Sequence, residues 1–297
     1  MIVFDEAHAR ALLALACSAA GLPDPAGARL IALSENAVFD LGGPAVVAKV
    51  GRGPELAERA ARELAVARWL GSEGIPVVRP ARDVPAAVVD AAGHPVTFWQ
   101  RLSDPLRPAA PADLGPLLRT LHRLPAPPVP LPRRDLLSGV ERWLRAADGH
   151  IDPADAAYLR ARREEFAGAI AELSAHLTPG VIHGDALPRN VHLGPDGPVL
   201  LDLETVSDDL REHDLVVLAL SHDRYGVPDA DYRAFTDAYG WDVRDWPGCA
   251  VLRGARETAS ASWVAQQAPG NPAALAEFGR RVASLRDGDA TVRWYAF

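Results

Sequence analysis

Cysteine and lysine are nearly missing from this chain. Its 297 residues hold two cysteines, Cys17 and Cys249, far apart and in no metal-like spacing. A disulfide framework is thereby excluded, and a reducing, cytoplasmic setting is the expectation. No apolar run reaches the length of a membrane span. Residues 11–17 are apolar, but Asp5 and Glu6 stand where an export signal needs basic residues, so an N-terminal helix is expected there. The net charge of −8 argues against a nucleic-acid backbone as partner. It is compatible with a cationic substrate and equally with plain solubility. The apolar content is ordinary for a globular protein, and the length suffices for two lobes.

Lysine is the sharper scarcity. Of 31 basic residues only Lys49 is a lysine. Arginine has taken its place elsewhere, in keeping with the richness in Ala, Gly and Pro that marks a G- and C-rich coding bias. A sole survivor is a candidate for work that needs a compact point charge instead of a wide planar fork.

What the chain does hold is concentrated between His183 and Glu204. It reads His183-Gly184-Asp185-Ala186-Leu187-Pro188-Arg189-Asn190, then eleven residues, then Asp202-Leu203-Glu204. Val191–Leu193 and Val199–Leu201 are apolar runs separated by Gly194-Pro195-Asp196-Gly197, which is turn chemistry. A hairpin closed there sets Asn190 opposite Leu201 or Asp202. Two oxygen ligands distant in sequence then meet, and oxygen donors suit a hard cation such as Mg²⁺. Metal-assisted phosphoryl transfer needs this set: one Asp to orient a hydroxyl, and an Asn and a second Asp to hold the metal against phosphates.

Upstream, residues 5–20 read as a helix, and two apolar runs flank Ser34-Glu35-Asn36. Gly42-Gly43 marks a turn, Ala45–Val50 a strand, and Pro54 opens a helix running to about Leu70. Glu63 is a charge on that helix's apolar face, and Lys49 is its natural partner, with Glu58 the competitor. Strands follow near Ala86–Ala91 and Val96–Leu102. Beyond Ser103 the texture turns helical, over 114–124, 136–147, 153–176, 214–220, 230–239, 250–267 and 271–285, broken by the hairpin. The boundary splits the chain into an N-terminal lobe, 1–102, with a hinge at Phe98–Leu102, and a C-terminal lobe, 103–297. There is no internal repeat.

These residues resemble the aminoglycoside phosphotransferase family of kinase-like small-molecule kinases, from about Ala28 to Ala265. The matching parts are Ser34–Phe39, Lys49, Glu63, Leu121-His122, His183–Asn190, Asp202 and Asp214. The resemblance implies an α+β, two-lobed protein-kinase-like fold with nucleotide between a β-rich and a mostly helical lobe. It implies ATP or GTP and Mg²⁺ as cofactors, and a small hydroxylated substrate, an antibiotic included. Asp185 would be catalytic, and Asn190 and Asp202 would bind the metal. Ser34, Asn36, Lys49, Glu63, Gln100 and Leu102 would serve the nucleotide. His183, His122 and Asp214 would support the loop. The acceptor site is read by location only: Glu204, Asp208, His222, Asp223 and Tyr225, with Asp209, Trp241, Glu257 and Trp263 further candidates. A monomer without nucleic-acid or membrane partners is expected.

Two departures matter. No G-x-G-x-x-G occurs in the nucleotide loop, which weakens any wrapping of phosphates by backbone amides. Glu204 stands where protein kinases have Gly, which argues against a protein kinase. Other readings of the same residues are a kinase of choline, homoserine or a sugar, a nucleotide-binding pseudoenzyme, and a dinuclear metal hydrolase. The last would collect His183, Asp185, His192, Asp202, Glu204, His213 and Asp214. It needs neither the sole lysine nor its paired Glu63.

Overall fold

The computed structural model describes residues 4–43, 45–84 and 87–295. In chain order the elements are α1 (Glu6–Ala19), β1 (Arg29–Leu33), β2 (Asn36–Asp40), β3 (Val46–Gly51), α2 (Ala57–Ser72), β4 (Val89–Ala91), β5 (His94–Gln100), α3 (Pro111–Leu121), α4 (Val140–Ala146), α5 (Pro153–Ala171), β6 (Gly180–Ile182), β7 (Val191–Gly194), β8 (Gly197–Leu200), β9 (Ser207–Asp209), α6 (Glu212–Tyr225), α7 (Asp229–Tyr239), α8 (Cys249–Ala265) and α9 (Pro272–Arg286). Contacts divide the chain into two compact units. The first comprises 1–109, 127–130 and 189–206; the second comprises 110–126, 131–188 and 207–297.

The first unit is an antiparallel sheet in the order β1-β2-β3-β5-β4, with α1 and the β7–β8 hairpin. Asp5 caps α1 by accepting the His8 amide at 2.9 Å, the usual device for satisfying a free first-turn donor. The apolar stripe Leu12, Leu13 and Ala16 packs on Phe39, Val46, Val50 and Phe98 of the sheet. Each of these large side chains contributes roughly 1.5–3 kcal/mol by leaving water. The expected strand over 86–91 is β4, and Ala86 lies outside the described residues.

The hairpin forms in the register its sequence dictates. Val191 pairs Leu200 and Gly194 pairs Gly197. Gly197 takes φ 107°, a conformation that favours glycine. The Leu201 amide then donates to the Asn190 carbonyl at 2.8 Å. The hairpin joins the sheet unit through its own backbone: Leu200 bridges Val77, and the Leu106 amide donates to Leu193.

The second unit is mostly helical, and β6 pairs β9 antiparallel within it. Its core gathers Leu144, Leu159, Val264, Phe278, Val282 and Trp294 from α4, α5, α8, α9 and the C-terminal segment. Helix α5 stops at Ala171 instead of His176. The amides of His176 and Leu177 donate instead to the buried Glu212 carboxylate, both at 2.7 Å. Helix α6 runs longer than its apolar stretch suggested, until Gly226 ends it at φ 78°. Among the described residues no helix is long and apolar enough to cross a membrane.

Candidate active site

In the first unit a cavity of about 570 Å³ opens beside the sheet, a size typical of small-ligand sites. Ser34, Asn36, Lys49, Glu63, Gln100 and Leu102, expected at the nucleotide, line it together with Asp202, expected at the metal, and Glu204, expected at the acceptor. Asn190 is buried at the foot of the hairpin and is not among the lining residues.

Lys49 is the centre of the charge arrangement. It projects from β3, and its Nζ donates to both Glu63 oxygens at 2.9 and 3.1 Å. The partner is therefore Glu63 and not Glu58, and Glu63 is buried as expected. Glu204 contacts the same ammonium, and Asp202 lies 3.9 Å from it. Burial alone would lower Lys49, but Glu63, Glu204 and Asp202 outweigh it and hold the ammonium charged. Burial pushes Glu63 up to about 7, Lys49 pulls the other way, and Glu204 and Asp202 add to the rise.

Asp202 adopts a left-handed backbone, φ 54° and ψ 66°. That conformation is uncommon for a residue with a Cβ and clusters at functional positions. Oxygens of Glu63, Asp202 and Glu204 converge within 4.8 Å of one another, a donor set that suits a hard divalent cation. No histidine belongs to this group. The cluster that a dinuclear hydrolase requires, with His183, His192 and His213, is thus not the one that forms among the described residues.

Two features of this unit escaped the sequence reading. Arg59 donates to Glu35 at 2.8 Å and pairs with Glu204 at 3.1 Å, tying the nucleotide loop to the hairpin end. Its signal was available, because Arg59 lies one helical turn before Glu63 on α2. His192 also lines the cavity.

In the second unit the loop after β6 carries Asp185. Gly184 turns it at φ 84°. Buried Asp214, in the first turn of α6, accepts the amides of His183 and Gly184, both at 2.7 Å, and faces His122 Nε2 at 3.1 Å. His122 Nδ1 meets the Tyr239 hydroxyl at 2.8 Å. Burial pushes the Asp214 carboxyl up, but His122 and His183 outweigh it, so it stays below the usual range. Asp214 and His122 thus shape the loop, the supporting role expected of them. His183 is fully buried beneath it, with the Asp185 amide 3.4 Å from its Nδ1.

His213 is buried next to Asp214, and burial, followed by the Arg256 charge, lowers it to about 4. An ordinary unfolded histidine titrates near 6.5, so between those values the unfolded chain binds a proton that the native chain refuses. Stability is then full above pH 6.5 and falls as pH drops toward 4, by up to ~3 kcal/mol. Urea melts at pH 6.5 and 4.5 should show this loss, and His213→Leu should flatten it.

His222, Asp223 and Tyr225 do not gather at the loop. His222 and Asp223 sit near the far end of α6, roughly 12 Å along the axis from Asp214. His222 bonds Asp223 at 2.9 Å and Asp229 at 2.7 Å, and Asp223 pairs with Arg253 at 2.8 Å. The Tyr225 hydroxyl is engaged with Ser260 at 2.8 Å. Trp241 stacks on His176, Glu257 holds buried Arg224 at 2.6 Å, and Trp263 packs on the helical core. Asp208 lies on β9, its amide bonded to the Pro132 carbonyl. Asp209 accepts the Arg134 amide and pairs with Arg133. Beside Asp185 stand instead Arg134 and Arg256, both donating to the Gly184 carbonyl. In a chain this rich in arginine, no sequence signal separates those two from the rest.

Residues 28–252 match the model of the phosphotransferase enzyme family. The chain belongs to that family. This phosphotransferase is similar in structure to an amicoumacin kinase solved with AMP-PNP, Ca²⁺ and amicoumacin: TM-score 0.71, 15% identity, covering 97% of this chain and 95% of that one. A microcompartment-associated aminopropanol kinase matches at TM-score 0.69 and 18% identity, covering 97% and 99%. An aminoglycoside phosphotransferase from Streptomyces rimosus matches at TM-score 0.59 and 20% identity, covering 83% and 97%. No curated protein matches the sequence. The fold is the kinase-like α+β fold, and the enzyme is a small-molecule phosphotransferase.

Proposed function

We propose that this phosphotransferase moves the γ-phosphoryl group of ATP or GTP, with Mg²⁺, onto a hydroxyl of a small molecule. The observation that carries the reading is the cavity holding Lys49, Glu63 and Asp202 together with the nucleotide-loop residues Ser34 and Asn36. Lys49, oriented by Glu63, binds the nucleotide phosphates as a point charge. Gln100, the last residue of β5, and Leu102 just beyond it would receive the base. Asn190 and Asp202 would hold Mg²⁺, which when bound neutralises charge on the β- and γ-phosphate oxygens. The Asp185 carboxylate accepts a hydrogen bond from the acceptor hydroxyl and aims its oxygen in line with the γ-phosphorus. The new oxygen–phosphorus bond forms as the bond to the β,γ-bridging oxygen breaks. The nucleoside diphosphate leaves, and the hydroxyl proton passes to Asp185. With a loose transition state, positioning counts for more than basicity.

The acceptor is a small alcohol, an antibiotic or a metabolite. The similarity to antibiotic kinases supports a resistance role, and the similarity to an aminopropanol kinase supports a metabolic one. The test is acceptor-dependent release of ADP or GDP in a panel of aminoglycosides, nucleoside and peptide antibiotics, choline, homoserine, hydroxy acids and sugars. Turnover of at least one acceptor, lost on chelation and restored by Mg²⁺, is the expected result. Phosphate release that needs no nucleotide would refute the reading.

A further inference from the structure

Arg134 donates from Nε to the Gly184 carbonyl oxygen at 3.2 Å. Arg256, on α8, donates from Nη2 to the same oxygen at 3.3 Å and to the His213 carbonyl at 3.0 Å. One oxygen thus fixes two guanidiniums side by side, next to Asp185. Asp185 is the carboxylate that faces both guanidiniums, and two others close by are occupied. Asp214 is taken by His122 and two loop amides. Asp209 is taken by Arg133 and by the amides of Arg134 and Leu210. Among the described residues, the terminal nitrogens of Arg134 make no hydrogen bond, nor does Nη1 of Arg256. The Arg256 Nε is buried and has no partner.

Holding two carbonyls, those of Gly184 and His213, does not call for two cations. A glutamine would supply the same donor without desolvating a charge. Burial, and then the Arg134 charge, lower Arg256 to about 10, and burial lowers Arg134 as well. In both cases burial outweighs the carboxylates that face the guanidinium, Asp185 and Asp214 for both and Asp135 and Asp209 for Arg134 as well. Planar forks with unmet donors are the groups that take carboxylate or phosphate.

We propose that Arg134 and Arg256 form an anion subsite beside Asp185, and that the phosphate acceptor is an alcohol carrying a carboxylate or phosphate near its reacting hydroxyl. The acceptor half rests on the phosphotransfer reading; the anion subsite rests on its own geometry. Both arginines share a compact unit with Asp185, whereas the cations lining the nucleotide cavity, Arg29, Lys49 and Arg101, belong to the other. An acceptor anion is therefore the favoured occupant over a nucleotide phosphate.

The test pairs alcohols that differ in charge: D-glycerate against glycerol, and glucose 6-phosphate against glucose, with choline and kanamycin as cations. Binding is read by calorimetry on the whole chain without nucleotide, and transfer is read with Mg²⁺ and ATP. One or both anions should bind saturably at millimolar concentration and be preferred ~10-fold or more over the neutral partner. Glycerate and glucose 6-phosphate separate the carboxylate from the phosphate case. Arg134→Gln should raise the acceptor KM ~10-fold or more and leave the ATP KM within about twofold, and Arg134→Lys should restore part of the loss. Arg256→Gln should do the same, and partly exposed Arg134 carries the test if that variant fails to fold. Preference for choline or kanamycin overturns the proposal. So does anion binding unchanged in Arg134→Gln, absence of anion binding, or a raised ATP KM with the acceptor unaffected. Anion binding that depends on the arginines, with no transfer to any alcohol, upholds the subsite and sinks the phosphotransfer reading instead.

Discussion

Asp185→Asn should lower kcat by ~10³-fold while nucleotide affinity stays within about twofold. The asparagine keeps the size of the side chain and the loop that carries it. That loop is held from outside Asp185, by the Asp214 carboxylate on the amides of His183 and Gly184. The substitution therefore removes the negative acceptor for the hydroxyl proton without removing the scaffold. Thermal melting should change little, and titration with AMP-PNP should give the wild-type affinity. Loss of nucleotide binding together with turnover would mean that Asp185 is structural. Retained turnover would mean that another group orients the alcohol.

Lys49→Arg should lower kcat/KM for ATP by ~10²-fold or more, although the charge is kept. The ammonium sits among Glu63, Glu204 and Asp202, close to the first two and 3.9 Å from the third. A guanidinium is wider and planar. It must push the buried Glu63 aside or withdraw from the phosphates, and either costs the geometry that Lys49 supplies. Lys49→Ala should be worse for stability than the arginine variant, because buried Glu63 would lose its ammonium beside Asp202 and Glu204, with Arg59 remaining on Glu204. Part of that cost is relieved by proton uptake on Glu63, which burial already holds near 7. Below that pH the alanine variant should recover stability relative to pH 8, and urea melts at the two pH values check it. Full activity in Lys49→Arg would show that the chain's sole lysine is an accident of composition.

Those two residues also show how far the sequence could be read. The pairing of Lys49 with Glu63 and the hairpin register that sets Asn190 against Leu201 were legible because local rules place them. A strand alternates its side chains, a helix repeats every three to four residues, and a four-residue turn fixes the register of a hairpin. The hairpin's membership was not legible. Sequence order sets it among helices, whereas Leu200 and Leu193 bond it to Val77 and Leu106 of the sheet unit. That pairing joins residues more than eighty positions apart, which no local pattern encodes. The short β6–β9 pair escaped for the same reason. The acceptor side was the least legible part. His222, Asp223 and Tyr225 lie on the right helix, but its length carries them away from the loop and into bonds with Asp229, Arg253 and Ser260. Arg134 and Arg256 reach Gly184 from segments over a hundred residues apart, and an arginine among many arginines gives no warning.

The central claim is that the acceptor's own oxygen attacks the γ-phosphorus. The direct measurement is mass spectrometry of the products formed from ATP carrying ¹⁸O on its terminal non-bridging oxygens, with Mg²⁺ and a turned-over acceptor. The expected product is a phosphomonoester whose non-bridging oxygens are labelled and whose ester oxygen is not, formed in step with ADP and ~10³-fold more slowly with Asp185→Asn. Labelled inorganic phosphate released beside an unchanged acceptor would contradict it.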